Sequence, residues 1–253
     1  MKTQFRRRLR PALSRAAAAG GQWLGRLFDR AELAPDLAGR LAAWQTLPAA
    51  DLGLPFEQGR YVVVDVETTG LDLRRDRLIA IGAVAVAHGR IQLADSFEIV
   101  LRQTQASGKA NILIHGIGGE RQREGIAPAE ALLRFLEYLG ASPLVAFHVA
   151  FDETMIRRAC KTYLGLDLRH PWLDLAQVMP GLLPELARKY RVLDHWTGHF
   201  GIGNYARHNA LADALATAQL LLAALPLARS QNLHHYRELQ GLEKAQRWLG
   251  ANA

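Results

Sequence analysis

The sequence predicts an α/β fold: a mixed sheet made of an antiparallel meander followed by parallel strands, flanked by helices. Two observations carry this. Three β-type runs follow one another directly from Tyr61, and from there to about Leu225 strand-like and helix-like segments alternate. At 253 residues and 49% hydrophobic content, the chain is large enough for one substantial core with a small appendage.

Residues 1–55 read as arm, helix and turn. Ala- and Leu-rich segments around Leu33 to Trp44 are broken by Pro35, Pro48 and Pro55, and Pro55 with Gly59 marks a boundary. The division expected is a basic arm and helical extension over 1–55, a main domain over 56–228 and a C-terminal helical extension over 229–253. The main domain opens on the β-branched run at Tyr61 to Val64. Leu78 to Val86 and the alternating Arg90 to Leu101 follow, with His88-Gly89 as the turn between them. Ala129 to Leu139 has helical spacing, Leu144 to Phe147 is a short buried strand, and Asp152 to Leu164 is helical. Leu173 to Ala187, Leu193 to Phe200 and Ala210 to Leu225 continue the alternation. In the last segment Leu211, Leu215, Leu222 and Leu225 form the expected buried stripe, and the alanines between them offer small surfaces for close approach to the sheet. His234 to Trp248 reads as one more amphipathic helix.

The formal charge of +7 is localised. Residues 1–28 hold Lys2, Arg6, Arg7, Arg8, Arg10, Arg15 and Arg26 and no acid, which leaves 24 bases and 24 acids in the remainder. The basic character therefore belongs to an arm and not to the domain. Such an arm suits a polyanion, an anionic membrane surface, a transit peptide or a solvated helical extension, and composition does not choose among them. The single cysteine, Cys160, excludes an intramolecular disulfide and a Cys-based zinc cage; it suits a reducing compartment, and a cytoplasmic location is expected. It reads as a small packed hydrophobe beside Arg157 and Arg158. No run approaches the ~20 uninterrupted apolar residues of a spanning helix, so integral membrane contact is not expected.

The chemistry concentrates in three clusters. In Val62-Val63-Val64-Asp65-Val66-Glu67-Thr68-Thr69-Gly70, alternation puts Val63, Asp65 and Glu67 on one face and Val62, Val64 and Val66 on the other. Two carboxylates closing an apolar strand are costly to bury without a cation, and a hard, oxygen-seeking ion such as Mg²⁺ or Mn²⁺ serves best. Taken alone, the pair also fits a solvated strand end. Asp152 opens a helix after the Val145-Ala146-Phe147 strand and the His148-Val149-Ala150 turn, where an acid also serves the helix dipole. In Arg207-His208-Asn209-Ala210-Leu211-Ala212-Asp213, Asn209 is a good N-cap, which places His208 in the preceding loop and Asp213 early in the helix. His195 and His199 have the i, i+4 spacing of zinc ligands. The absence of an adjacent Glu and of a third ligand, with Gly198 weakening the helix, argues against zinc. His234-His235 reads as exposed helix or loop.

Together the clusters resemble the DEDDh exonuclease family, whose bacterial branch includes the proofreading (epsilon) subunits of DNA polymerase III and stand-alone relatives. The matching residues are Asp65-Val-Glu67-Thr-Thr-Gly, Phe151-Asp152 and His208-Asn-Ala-Leu-Ala-Asp213 with the His-x₄-Asp spacing, along with Ile114-His115-Gly116-Ile117. The resemblance runs from about Tyr61 to Leu225. One departure is clear: where many members carry His-Asn-Ala-x before Phe-Asp, this chain has Phe147-His148-Val149-Ala150.

The resemblance implies a ribonuclease H-like fold and 3′-to-5′ hydrolysis of nucleic-acid ends with two divalent cations, Mg²⁺ or Mn²⁺. It implies Asp65, Glu67, Asp152 and Asp213 as metal ligands, with Asp65 shared between the ions, and His208 as general base. Thr68, Thr69, Gly70, Leu71 and His115 are implied to lie against the terminal nucleotide, with Leu71 as a wedge. The expected partner is DNA with a free 3′ end. RNA in the same chemistry is an alternative, and a non-catalytic scaffold recruiting protein partners through its terminal extensions is another.

Overall fold

The β-branched and apolar runs fold as the meander read from the sequence. In the computed structural model, which describes residues 33–251 except Tyr205, β1 (Arg60–Thr68), β2 (Leu78–Ala87) and β3 (Arg90–Val100) pair antiparallel in succession. The basic arm of residues 1–28 lies outside the described residues. β4 (Leu144–Ala146) joins β1 in parallel and β5 (Trp172–Asp174) joins β4 in parallel, giving the order β3-β2-β1-β4-β5. His88 and Gly89 both take positive φ, 53° and 67°, the backbone that a two-residue hairpin turn requires.

Helices cover both faces. On one, Val62, Val64 and Val66 pack with α4 (Pro128–Leu139) and α5 (Val149–Tyr163). On the other, Tyr61 and Val63 pack with α6 (Leu175–Leu182) and α8 (Ala210–Ser230). Between the meander and α4 lie the short helices α2 (Lys109–His115) and α3 (Gly119–Glu124), and α7 (Leu193–His199) precedes α8. The segment expected from Leu173 to Ala187 splits at Asp174, whose carboxylate leaves β5 to accept the Ala176 amide and cap α6. Pro35 does not break its segment but starts it: α1 (Pro35–Gln45) has the proline in its first turn, where no intrahelical donor is lost. α1 is clamped to α4 by Arg40, whose guanidinium reaches Glu130 at 2.8 Å and Glu137 at 2.7 Å.

α8 crosses β1 and β2 at backbone contact. A Cβ on Gly82 of β2 would sit 2.2 Å from the Ala210 carbonyl carbon and the Leu211 nitrogen. At that point only small side chains fit, and Ala210 and Ala214 are buried in the first turns of the helix; further along, Ala218 and Ala224 are buried with Leu220, Leu221 and Leu225. Of the leucine stripe expected from the sequence, Leu225 is buried, but Leu211, Leu215 and Leu222 are only partly buried. The helix also runs past Leu225, through the exposed Pro226, to Ser230. By length and composition it could cross a membrane, although Asp213, Thr217 and Gln219 interrupt its apolar run. Here it is a core helix.

The C-terminal segment forms α9 (Tyr236–Ala251), packed on α6 and β5. The buried Tyr236 stacks on Tyr61 at 5.7 Å and its hydroxyl donates to the Leu144 carbonyl at 2.8 Å, while Gln240 donates to the Trp172 carbonyl at 3.0 Å.

Replacing Gly82 with Ala should therefore lift α8 from the sheet. Overpacking of this kind costs about 1–3 kcal/mol, or a fall of roughly 2–12 °C in melting temperature for a domain of this size. An unchanged thermal midpoint for Gly82→Ala would contradict the contact.

Candidate active site

The C-terminal end of β1 brings Asp65 and Glu67 out on the α8 side of the sheet. Asn209 caps α8, its Oδ1 accepting the Ala212 amide at 3.0 Å, and this fixes Asp213 in the first turn above them. Asp65, Glu67 and Asp213 each place a carboxylate oxygen within 4.8 Å of the other two. Asp152 arrives from the opposite layer, in the first turn of α5, and is buried. β4 ends at Ala146, short of Val66, and the Asp152 carboxylate accepts hydrogen bonds from the Val66 amide and from its own. It stands outside the tight trio, although its charge acts on both Asp65 and Glu67.

The electrostatics follow from burial and like charge. Burial pushes the Asp65 carboxyl well above its usual range, and Asp152, Asp213 and Glu67 push it further, against the pull of Arg207. Glu67 is raised to about 8 by burial and then by the charges of Asp213 and Asp152. Asp152 is raised to about 8 by burial, opposed by its amide hydrogen bonds, with the Asp174 charge adding to the rise. An all-carboxylate set of hard oxygen donors that resist ionising together matches what a Mg²⁺ or Mn²⁺ ion needs and offsets.

His208 lies on the loop just before α8, exposed, at φ 61°, and its amide donates to Asp213 Oδ2 at 2.9 Å. The turn after β1 is built from Thr68, whose hydroxyl donates to the Gly70 carbonyl at 2.6 Å, and Thr69, whose hydroxyl donates to Asp76 at 2.7 Å. Gly70 is needed for room: a Cβ there would meet the Asp76 carboxylate at 2.5 Å. Leu71 is 85% exposed, which excludes ordinary packing. His115 departs from expectation. Its ring is buried, Nδ1 accepts the Ile117 amide at 2.9 Å and Nε2 is bonded to Asn111 Oδ1 at 2.8 Å. A direct substrate contact by that ring does not fit, because both nitrogens are used within the loop. The exposed residues of the same segment are Leu113 and Ile114.

Several residues at the site were not singled out from sequence. Arg207 donates to Asp213 at 2.6 Å and to Asp194 at 2.8 Å, and Asn204 also bonds Asp213. Asp174 accepts the His148 amide at 2.9 Å, and Arg247 of α9 pairs with it at 3.1 Å while being held by Glu243 at 2.9 Å. This chain of contacts fixes the turn that delivers Asp152. His148 itself adopts φ 67° and is exposed. Asn tolerates that left-handed backbone well, so the Asn-to-His departure leaves the turn's geometry intact. The rings of His195 and His199 lie 6.1 and 5.5 Å from that of Tyr190. Cys160 is buried and its thiol is pushed up to about 12 by burial, as a packed, unreactive thiol should be.

The family model described as exonuclease (RNase_T) matches residues 62–221, more than half of the chain. The chain belongs to the exonuclease family. Among relatives of this exonuclease-family chain, a PolC-type DNA polymerase III of Thermotoga petrophila is 32% identical over 188 residues, covering 74% of this chain and 13% of that protein. A DNA polymerase III subunit epsilon-like protein of Rhodobacter capsulatus is 31% identical over 185 residues, covering 71% and 25%. The chain thus spans a quarter or less of these relatives. Among solved structures, E. coli Exonuclease I in complex with a dT13 oligonucleotide superposes with a TM-score of 0.57 at 18% identity, covering 69% of this chain and 42% of that one. Cell-death related nuclease 4 gives 0.60 at 14% identity, covering 68% and 65%. At these identities the likeness establishes the fold, which is the ribonuclease H-like mixed sheet.

The raised carboxyls set the pH response of the metal-free protein. A group whose folded pKa is raised gives stability that is full below its unfolded pKa, near 4, and lost as the pH rises through the folded value, about 8 for Glu67 and Asp152. The metal-free melting temperature should fall between pH 5.5 and 8.5, and added Mn²⁺ should reverse the fall. Asp65→Asn should melt higher than wild type at pH 8 without metal, because it removes a carboxyl that burial and its acidic neighbours push well above its usual range. Identical metal-free midpoints for wild type and Asp65→Asn across that range would contradict the repulsion.

Proposed function

We propose that this chain is a 3′-to-5′ exonuclease that hydrolyses the terminal phosphodiester bond of DNA. The observation that carries the reading is the convergence of Asp65, Glu67 and Asp213, with Asp152 acting on the same point from the other layer. In this reading Asp65, Glu67 and Asp213 would hold one Mg²⁺ or Mn²⁺ ion, and Asp65 with Asp152 a second. Two such cations, when bound, supply an activated water and neutralise the charge that builds at phosphorus and on the leaving 3′ oxygen.

The chain's own residues supply the rest. His208, exposed beside Asp213, takes the proton of the attacking water, imidazole being the side chain suited to that transfer near neutral pH. Its backbone is left-handed and its amide is held by Asp213. The Thr68–Leu71 turn, locked by Asp76, presents Leu71 to the terminal base, and Leu113 and Ile114 offer a second apolar surface for the same nucleotide. Residues 56–228 form the catalytic unit, with residues 1–55 and 229–253 as extensions available to protein partners, in the cytoplasm.

Release of mononucleotides from matched 3′-labelled DNA and RNA tests this. Wild type should act on DNA with Mn²⁺ or Mg²⁺ and stop in EDTA, Asp65→Ala should fall to the metal-free background, and His208→Ala should lose about 10²–10⁴-fold in rate. Equal activity of wild type and Asp65→Ala would overturn the site. Cleavage of RNA alone would move the substrate to RNA, and an inactive wild type with intact metal binding would favour a scaffold.

A further inference from the structure

The stretch Arg188-Lys189-Tyr190-Arg191 leads into α7, whose Asp194 is joined through Arg207 to the site carboxylate Asp213. Arg188, Lys189 and Arg191 are exposed, and among the described residues none of them is ion-paired. Tyr190 holds the stretch in place: its ring meets the buried Trp196 edge-on at 5.2 Å and lies 5.5 Å from His199, with the Lys189 ammonium 5.4 Å from its centre. His195, left unused by the metal site, is exposed on the following turn and its Nδ1 accepts the Arg191 amide at 3.4 Å. Asp194, next to it, pairs with Arg207 at 2.8 Å, and Arg207 with Asp213 at 2.6 Å. Two side chains therefore connect this surface to a site carboxylate.

The charge balance is local. Residues 183–208 carry Arg188, Lys189, Arg191 and Arg207 against Glu185 and Asp194, in a chain whose remainder beyond the arm is balanced. Four clustered carboxylates repel a polyanion, and the exposed cations Arg188, Lys189 and Arg191, which among the described residues face no carboxylate, offset that repulsion.

We propose that Arg188, Lys189 and Arg191, with His195 beside them, form the track that binds the sugar–phosphate backbone of the single strand whose 3′ end enters the site. The proposal rests on the exonuclease reading for its substrate. Guanidinium and ammonium groups would contact phosphate oxygens without reading sequence, so binding by this surface should be strongly salt-dependent.

The test is the salt dependence of oligothymidylate and oligouridylate binding to the full chain, read by fluorescence anisotropy in EDTA so that no cleavage occurs. The variant is Arg188→Gln/Lys189→Gln/Arg191→Gln, and the control Arg90→Gln/Arg169→Gln/Arg237→Gln removes the same charge at the far end of the sheet. All six positions are exposed, so both proteins should fold, and circular dichroism checks this. Loss of three single-strand phosphate contacts should lower the log–log salt slope by about 2, so that a fourfold rise in salt costs the variant about 20-fold less affinity than it costs wild type. The control should keep the wild-type slope. Equal slopes for all three proteins, or equal losses in variant and control, overturn the track. A wild type that binds with a slope lost in the variant but releases no nucleotide upholds the track and sinks the nuclease reading, and loss on oligouridylate alone would assign the surface to RNA.

Discussion

Mutual repulsion among carboxylates held at the end of a buried strand is the constraint around which this molecule is arranged. Asp65 and Glu67 cannot retreat, because β1 is paired with β2 along its length and the valines between and before them are core. Asp213 cannot retreat either, because α8 lies on β2 at a distance that only Gly82 and a run of alanines allow. Without metal, the chain answers the repulsion with protonation and with Arg207, whose charge draws the Asp65 and Glu67 pKa values downward. A divalent cation would answer it better, because an all-oxygen carboxylate set matches what such an ion needs.

Asp152 shows how the opposite layer is tied to the same point. Its helix begins with a left-handed residue, His148, whose amide is held by Asp174, and Asp174 is held in turn by Arg247 from α9. α9 lies outside the region matched by the family model, yet it braces β4, β5 and this turn together. The C-terminal segment is a support of the site, not only an appendage to the domain.

Much of this was legible in the sequence, for physical reasons that differ by residue. The period-2 alternation of β1 placed Asp65 and Glu67 opposite Val62, Val64 and Val66, because a fully buried strand has no freedom to slip. Asn209 announced its helix and thereby the position of Asp213. Hydrophobic spacing in α8 does not show that its alanines face the sheet; Gly82, alone within an apolar strand, is the sequence feature that marks a close backbone approach at Ala210. His115 was misplaced because a His-Gly-Ile pattern does not disclose that Asn111 and Ser107 consume its ring. Asp174 and Arg247 are 73 residues apart, and no local pattern joins them.

The account turns on whether these carboxylates are partly protonated until a cation arrives. Calorimetric titration of Mn²⁺ into the metal-free protein at pH 7, repeated in buffers of different ionisation enthalpy, counts the protons released on binding. With Glu67 and Asp152 near 8, the protein should release about two protons as the metal binds. Binding with no proton release would mean that the carboxylates were already ionised side by side, and would contradict the account.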